Sequence, residues 1–157
     1  MQIENDHDKE VYNGDISYVE DVEPNDGELT AIFDGRGEWR RDLSIGLNHI
    51  GDVKRKTGDA AGAQRNYEES AEILRKLVLA ETKNTGWQSD LALVLGRIGM
   101  ALADQGLESK AVAPLTQGRN IIAMLLAQSP SDAKLTAYRY WFEDKLADYT
   151  PRRPSRR

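Results

Sequence analysis

The chain of 157 residues contains no cysteine, which excludes disulfide bonds, thiolate metal sites and a cysteine nucleophile. It also lacks any apolar run near the 18 or so residues that a membrane helix needs. Its first residues, MQIENDHDKE, carry neither the basic region nor the apolar stretch of a signal peptide. The sequence therefore predicts a cytoplasmic protein without a membrane segment.

Basic residues are scarce in the first quarter of the chain. Residues 1–38 hold 12 acidic residues against Lys9 and Arg36, a net charge of −10, whereas residues 39–157 hold 14 acidic and 19 basic residues, a net charge of +5. Because the acidic segment repels phosphate, we do not expect direct nucleic-acid binding. Four of the basic residues lie in PRRPSRR, and we interpret residues 150–157 as a basic disordered tail.

Patterns that hold metals or phosphates are also missing. The sequence has no G-x-x-x-x-G-K-[ST] loop. His7 lies between two aspartates, a combination that is commoner as solvated charge than as a metal site. The stretch DVEPNDGE resembles the start of a calcium loop, but Gly27 comes one place late and Ile32 stands where a glutamate is required. We predict no metal and no cofactor.

His49 and Asp52 are the pair that most resembles catalytic groups. They are three residues apart on a predicted helix, so they could act as a base and its orienting partner. No serine, cysteine or second acid is tied to them by spacing, and an ordinary polar contact is the favoured interpretation. The sequence therefore predicts a protein that is not an enzyme.

From Trp39 onward the sequence repeats itself at an offset of 48 residues, which is typical of stacked supersecondary units. The identities are mostly apolar residues or glycine, a pattern that indicates packing. The matches are Trp39/Trp87, Asp42/Asp90, Leu43/Leu91, Leu47/Leu95, Ile50/Ile98, Gly51/Gly99, Gly58/Gly106, Ala63/Ala111, Ile73/Ile121 and Leu77/Leu125.

Each unit is predicted to be a helical hairpin. Gly58 ends the first helix, and Asp59 is a plausible N-cap of the second. The helices are expected at about 39–56, 60–82, 88–105, 108–128 and 135–149. The expected apolar faces are Leu43, Leu47, Ile50 and Val53; Ala63, Tyr67, Ser70, Ile73, Leu74 and Leu77; and Leu135, Tyr138, Trp141, Phe142, Leu146 and Tyr149.

Three features of the repeat lead to specific packing predictions. Gly51 and Gly99 recur in helix interiors, where glycine costs roughly 1 kcal/mol, so each should mark a close approach of a neighbouring helix. Trp39 and Trp87 occupy the same repeat position and should be core residues. Pro114 should bend the fourth helix or delay its start, and we expect a late, distorted first turn.

The repeated pattern resembles the tetratricopeptide repeat (TPR) family. The resemblance lies in Ile50-Gly51, Gly58-Asp59, Ala63 and Tyr67, with Ile98-Gly99, Gly106, Ala111, Leu115 and Gly118 in the second unit, and it covers about 39–149. It implies a short TPR-like array of about five helices. The family's usual repeat has 34 residues, so the helices here are longer. Because two hairpins and one helix are fewer than the usual three repeats, the last helix either caps the array or mediates a homodimer.

The TPR resemblance also implies a binding surface. In that family the first helix of each hairpin lines a groove that holds a peptide or a partner helix. Carried over by position, the partner-binding groove would contain Asn48, Asp52, Arg55, Lys56, Met100, Asp104, Trp141 and Asp144, together with Gly96 and Asp148. This mixture is not strongly basic, so a ligand with both apolar and polar groups is expected.

The first 36 residues read as β structure. DISYVEDVE alternates apolar and polar residues, EPNDGE is a turn, and LTAIF supplies a partner strand. The run NDHDKEVYNGD resembles the small SH3-like β-module of RecD-like DNA helicases (the exodeoxyribonuclease V alpha type). The resemblance stops near Gly35-Arg36-Gly37, which looks like a seam between two sequence sources, and it brings no ATPase motif with it.

These observations predict a mainly α fold with a small N-terminal β segment. The domains are 1–36, the helicase-module-like β-hairpin fragment; 37–38, a junction; 39–86 and 87–134, two TPR-like hairpins; 135–149, a capping helix; and 150–157, the tail. The predicted function is non-catalytic protein–protein interaction with a protein or peptide partner. The alternatives are an accessory or remnant piece of a RecD-like helicase or repair protein, and a recombined or truncated reading frame.

Overall fold

The computed structural model describes residues 34–149, which form five helices and no strand. They are α1 (Asp34–Lys56), α2 (Ala60–Ala80), α3 (Thr85–Asp104), α4 (Glu108–Gln128) and α5 (Ala133–Tyr149). The prediction of a mainly helical body is confirmed. Within this stretch no helix is both long and apolar enough to cross a membrane.

The start of α1 differs from the prediction. The helix begins at Asp34 and not at Trp39, so residues 34–36, assigned to the β segment, and the junction 37–38 are helical. Gly35-Arg36-Gly37 was interpreted as a seam between two sequence sources, but α1 includes all three residues, because extending a helix that has already formed requires no new nucleation. The strands, turns and helicase-like run predicted within residues 1–33, and the basic tail, lie outside the described residues.

A glycine follows the end of α1 and of α3 in the turn to the next helix, as the sequence predicted for Gly58. The φ angle is +89° at Gly58 and +75° at Gly106, a region that residues with a Cβ rarely adopt. Asp59 is the N-cap of α2, because its Oδ1 accepts a hydrogen bond of 2.8 Å from the backbone N–H of Gly62. These two local signals were therefore interpreted correctly.

The recurring glycines mark close contacts between helices, as predicted. A Cβ at Gly51 would lie 2.4 Å from the ring of Tyr67, and one at Gly99 would lie 2.6 Å from Cγ of Leu115. Gly51 thus brings α1 onto α2, and Gly99 brings α3 onto α4 at the same repeat position. A hydrogen bond of 3.0 Å from the buried Ser70 hydroxyl to the carbonyl of Ser44 also joins α1 to α2.

The core lies between α2, α3, α4 and α5, and each of these helices packs against the next one in the chain. The predicted face of α2 is confirmed, with Tyr67 and Leu74 fully buried and Ile73 partly buried. On α5, Phe142 is fully buried, and Leu135, Tyr138, Leu146 and Tyr149 lie at the margin of the core, whereas the predicted core residue Trp141 is 37% exposed. On the predicted face of α1, Leu47 is buried but the other three residues are not.

Two packing predictions are wrong. Trp87 is buried, but Trp39 is exposed, and so are Leu43, Ile50 and Val53, because no described helix covers that side of α1. The late start of α4 is also wrong, since the helix begins at Glu108 and continues through Pro114. Ala111 and Leu115, buried on either side of the proline, hold the helix in place despite the missing N–H donor.

Candidate partner-binding groove

Three ion pairs join α1 to α3 along one side of the helical body. Arg41 Nε donates to Asp90 at 2.7 Å, and Arg97 Nε donates to Asp52 at 3.3 Å. Further along, Arg55 Nε donates to Asp104 at 2.5 Å. Each side chain is roughly two-thirds buried, so each pair contributes only modestly to stability. They also link α1 to α3 at three points along the two helices.

Beside these ion pairs α1, α3 and α5 enclose a cavity of about 630 Å³, which we call the groove. Its floor is apolar and partly aromatic, whereas one wall carries charges from α1 and α3. The lining residues are Asp52, Arg55, Leu93, Arg97, Met100, Ala137, Tyr138 and Trp141. A surface of this size and mixed character can hold an apolar side chain while polar groups bind the neighbouring backbone.

Two smaller recesses adjoin the groove and share residues with it. One, of about 460 Å³, is lined by Lys56 and Asp104 together with Asp52 and Arg55. The other, of about 140 Å³, is lined by Ser44, Ile45, Asn48, His49, Asp90, Leu93 and Arg97. Because these recesses share Asp52, Arg55, Leu93 and Arg97 with the groove, the three form a continuous concave surface.

Asn48 is the polar group of the smaller recess that most needs a partner. Its residue is 8% exposed, and its Oδ1 has no hydrogen-bond partner among the described residues. A buried amide oxygen without a partner carries a desolvation cost of about 1–3 kcal/mol. Asn48, which the sequence analysis assigned to the partner-binding groove, therefore has a buried amide oxygen that a bound partner could satisfy.

Asp52 links the groove to the core through Tyr67. The buried Tyr67 hydroxyl donates a hydrogen bond of 2.7 Å to Asp52 Oδ1, the same atom that accepts from Arg97. Burial, and then the bond to Asp52, raises the pKa of Tyr67 well above its ordinary value, so the phenol stays protonated. The hydrogen bond to Asp104 similarly raises the pKa of Arg55. Among the described residues Asp52 thus accepts hydrogen bonds from Tyr67 and Arg97.

Most of the predicted groove residues lie on this concave surface. Asp52, Arg55, Met100 and Trp141 line the groove, and Asn48, Lys56 and Asp104 line the adjoining recesses. Asp144 lines neither the groove nor a recess; it is exposed and pairs with Lys145 at 3.0 Å. Asp148 pairs with the same lysine.

Gly96 does not face the groove as predicted. It is buried beneath α5, where a Cβ would lie 2.8 Å from the ring of Trp141 and 3.1 Å from that of Phe142. The two rings meet edge to face with centroids 4.9 Å apart. Gly96 therefore lets α5 approach α3 and so sets the position of Trp141 at the groove.

Sequence reasoning missed Leu93, Arg97, Ala137 and Tyr138, all of which line the groove. Two of them had a detectable signal. Arg97 lies one turn and Leu93 two turns before the predicted Met100 on the same helical face, three and seven residues away. Applying the helical period to each predicted position, in addition to the repeat offset, would have found them.

Comparisons with known protein families, curated proteins and solved structures give no match to this chain. The chemistry of the groove must therefore be judged from its own residues. Among the described residues no three His, Asp or Glu side chains stand close enough to hold a metal ion. The groove combines an apolar floor with paired charges, an arrangement suited to binding.

Proposed function

We propose that residues 39–149 form a short TPR-like array. Support comes from features that recur at the same position of each unit: the close contacts at Gly51 and Gly99, and the left-handed turns at Gly58 and Gly106. The first helix of each unit and α5 contribute to one concave surface. This is the arrangement that the family resemblance implies, with α5 at the position of the first helix of a third unit.

The function we propose for this array is non-catalytic binding of a protein partner in the groove. The observation that carries it is that α1, α3 and α5, which alternate along the chain, together line one cavity of about 630 Å³. The ligand is an extended peptide or a helix with an apolar or aromatic anchor, which would pack against Met100, Tyr138 and Trp141. Polar groups beside that anchor would meet the arginines and aspartates of the wall.

Selection of peptides from a random library on the immobilised chain tests this proposal. Peptides that bind should share an apolar anchor, and Met100→Glu should weaken them at least tenfold, because it places a charge on the apolar floor. Met124→Glu is the matched control, since Met124 is exposed on α4 away from the groove. Equal weakening by both variants, or no selected peptide, would refute groove binding.

The proposal leaves the other sequence-based predictions where they stood. A helicase-derived accessory role depends on residues that the structure does not describe. The cytoplasmic location and a homodimer through the C-terminal helix also remain predictions. For the described residues, partner binding is the function with a structural observation behind it.

A further inference from the structure

One apolar stripe of α3 is buried along its whole length. It consists of Trp87, Leu91, Val94, Ile98 and Ala101, none of them more than 8% exposed. The stripe lies on a different side of α3 from Gly99, which contacts α4. Since α2 is the other helix of the core that packs against α3, α2 covers the stripe.

The equivalent stripe of α1 is exposed. At an offset of 48 it consists of Trp39, Leu43, Gly46, Ile50 and Val53, which we call the α1 seam. Trp39 is 68% exposed, Leu43 44%, Ile50 50% and Val53 61%. The stripe of α3 is covered by a helix, whereas no helix among the described residues covers the equivalent α1 seam. Exposed apolar patches of this kind mark interaction sites.

The spacing within the α1 seam identifies the kind of partner. Its residues follow one another at intervals of four, three, four and three, the heptad spacing with which helices pack along a common seam. The seam extends about 21 Å along the helix, at 1.5 Å per residue. We propose that it pairs with the α1 seam of a second copy of this chain, in antiparallel orientation, to form a dimer.

The order of residues in the α1 seam is suited to a two-fold axis at Gly46. In an antiparallel pair centred there, Trp39 faces Val53 of the second copy, and Leu43 lies beside Ile50, offset by one residue or about 1.5 Å along the axis. The bulkiest side chain thus meets a small one, as close packing requires. Nothing lies within 4 Å of where a Cβ of Gly46 would stand, so the glycine leaves room for a second helix to approach.

The polar residues beside the α1 seam complement one another in this register. Asp42 and His49, both exposed, lie on one flank. In the antiparallel pair Asp42 is next to His49 of the second copy, so an imidazole N–H can donate to a carboxylate on each side of the axis. On the other flank, Lys54 is held by Asn66 of its own chain at 2.7 Å and is turned towards α2. A parallel pair would place Asp42 against Asp42.

Cross-linking tests the register, because the chain has no cysteine of its own. Gly46→Cys lies on the proposed axis, and on oxidation it should give a disulfide-linked dimer, which requires the two Cα atoms to be within about 7 Å. Val53→Cys is the control. It lies seven residues from the axis, so its two copies would be about 20 Å apart and should not cross-link. Cross-linking of both variants would indicate a parallel pair and would overturn the proposal.

Sedimentation equilibrium over a concentration series gives an independent test with the unmodified chain. We expect a dimer, a shift of at least tenfold in its dissociation constant for Ile50→Arg, and no shift for Leu79→Arg, a control exposed on α2. Circular dichroism should show both variants folded, because each side chain is at least half exposed. A chain that remains monomeric, or a dimer that Ile50→Arg does not weaken, would overturn the proposal. The groove is not part of this test.

Discussion

Tyr67 connects the packing of the array to its candidate binding surface. Its ring fills the space that Gly51 leaves beside α1, and its hydroxyl reaches through to Asp52 at the groove. The sequence indicated the ring, because a large residue in α2 was expected on the buried face. It gave no sign of the hydroxyl's partner, since that contact depends on how the two helices are rotated about their axes.

Replacing Tyr67 with phenylalanine isolates the hydroxyl from the ring. Tyr67→Phe should keep the packing but leave Asp52 without its buried donor, and we expect a loss of about 1–2 kcal/mol in the free energy of unfolding. Chemical denaturation measures this difference. Tyr140→Phe is the control, because Tyr140 is 59% exposed and should change stability very little. A loss of the same size in both variants would contradict the role assigned to the Asp52 bond.

The pKa of Tyr67 predicts how stability depends on pH. Since the pKa of Tyr67 is raised in the folded state, chiefly by burial, its contribution is complete below the ordinary tyrosine pKa of about 10. It is lost as the pH rises from there towards the folded-state pKa. The free energy of unfolding should therefore fall above about pH 10, and it should fall less steeply in Tyr67→Phe. Identical slopes for the two proteins would show that Tyr67 is not the titrating group.

At the scale of the helices, the sequence predicted the turn and cap residues correctly, but it did not predict which helix faces are exposed. Gly58 and Asp59 marked the turn between α1 and α2 correctly, because each acts through its own backbone or nearest N–H groups. Ile50 and Ile98 occupy the same repeat position, yet one is exposed and the other buried. That difference arises from a neighbouring helix, which the residues of α1 cannot reveal.

Replacing Gly118 or Gly46 with alanine should change the stability of the protein in opposite directions. A Cβ at Gly118 would lie 2.6 Å from the ring of Phe142 and 2.8 Å from the carbonyl oxygen of Ala92, whereas one at Gly46 meets nothing within 4 Å. Gly118→Ala should destabilise the protein, because overpacking costs about 1–3 kcal/mol and exceeds the gain in helix propensity. Gly46→Ala should stabilise it by up to about 1 kcal/mol.

Thermal or chemical unfolding of dilute protein measures both changes. Dilution matters because Gly46 also lies in the α1 seam, and its effect on folding should be separated from any effect on association. A Gly118→Ala variant as stable as the parent would show that α5 can move away from α4 at little cost. The position of Trp141 at the groove would then be less firmly set than its contacts indicate.

At the scale of the helical body, the sequence predicted the position of the groove better than it predicted all the side chains that line it. The repeat offset carried the groove positions of α1 onto α3, so Asp52 and Met100 were both found. Tyr138 was assigned to the core stripe, since its period cannot distinguish a core position from a groove edge. The ion pairs between α1 and α3 were not predicted at all, because they depend on the distance between two units.

The central claim is that the groove between α1, α3 and α5 binds a protein partner. The most direct test is a map of NMR chemical-shift changes on titrating the labelled chain with a selected peptide. We predict the largest changes at Leu93, Met100, Tyr138 and Trp141, the lining of the groove. Changes confined to the outer faces of α2 and α4, around Leu79 and Met124, would contradict the claim.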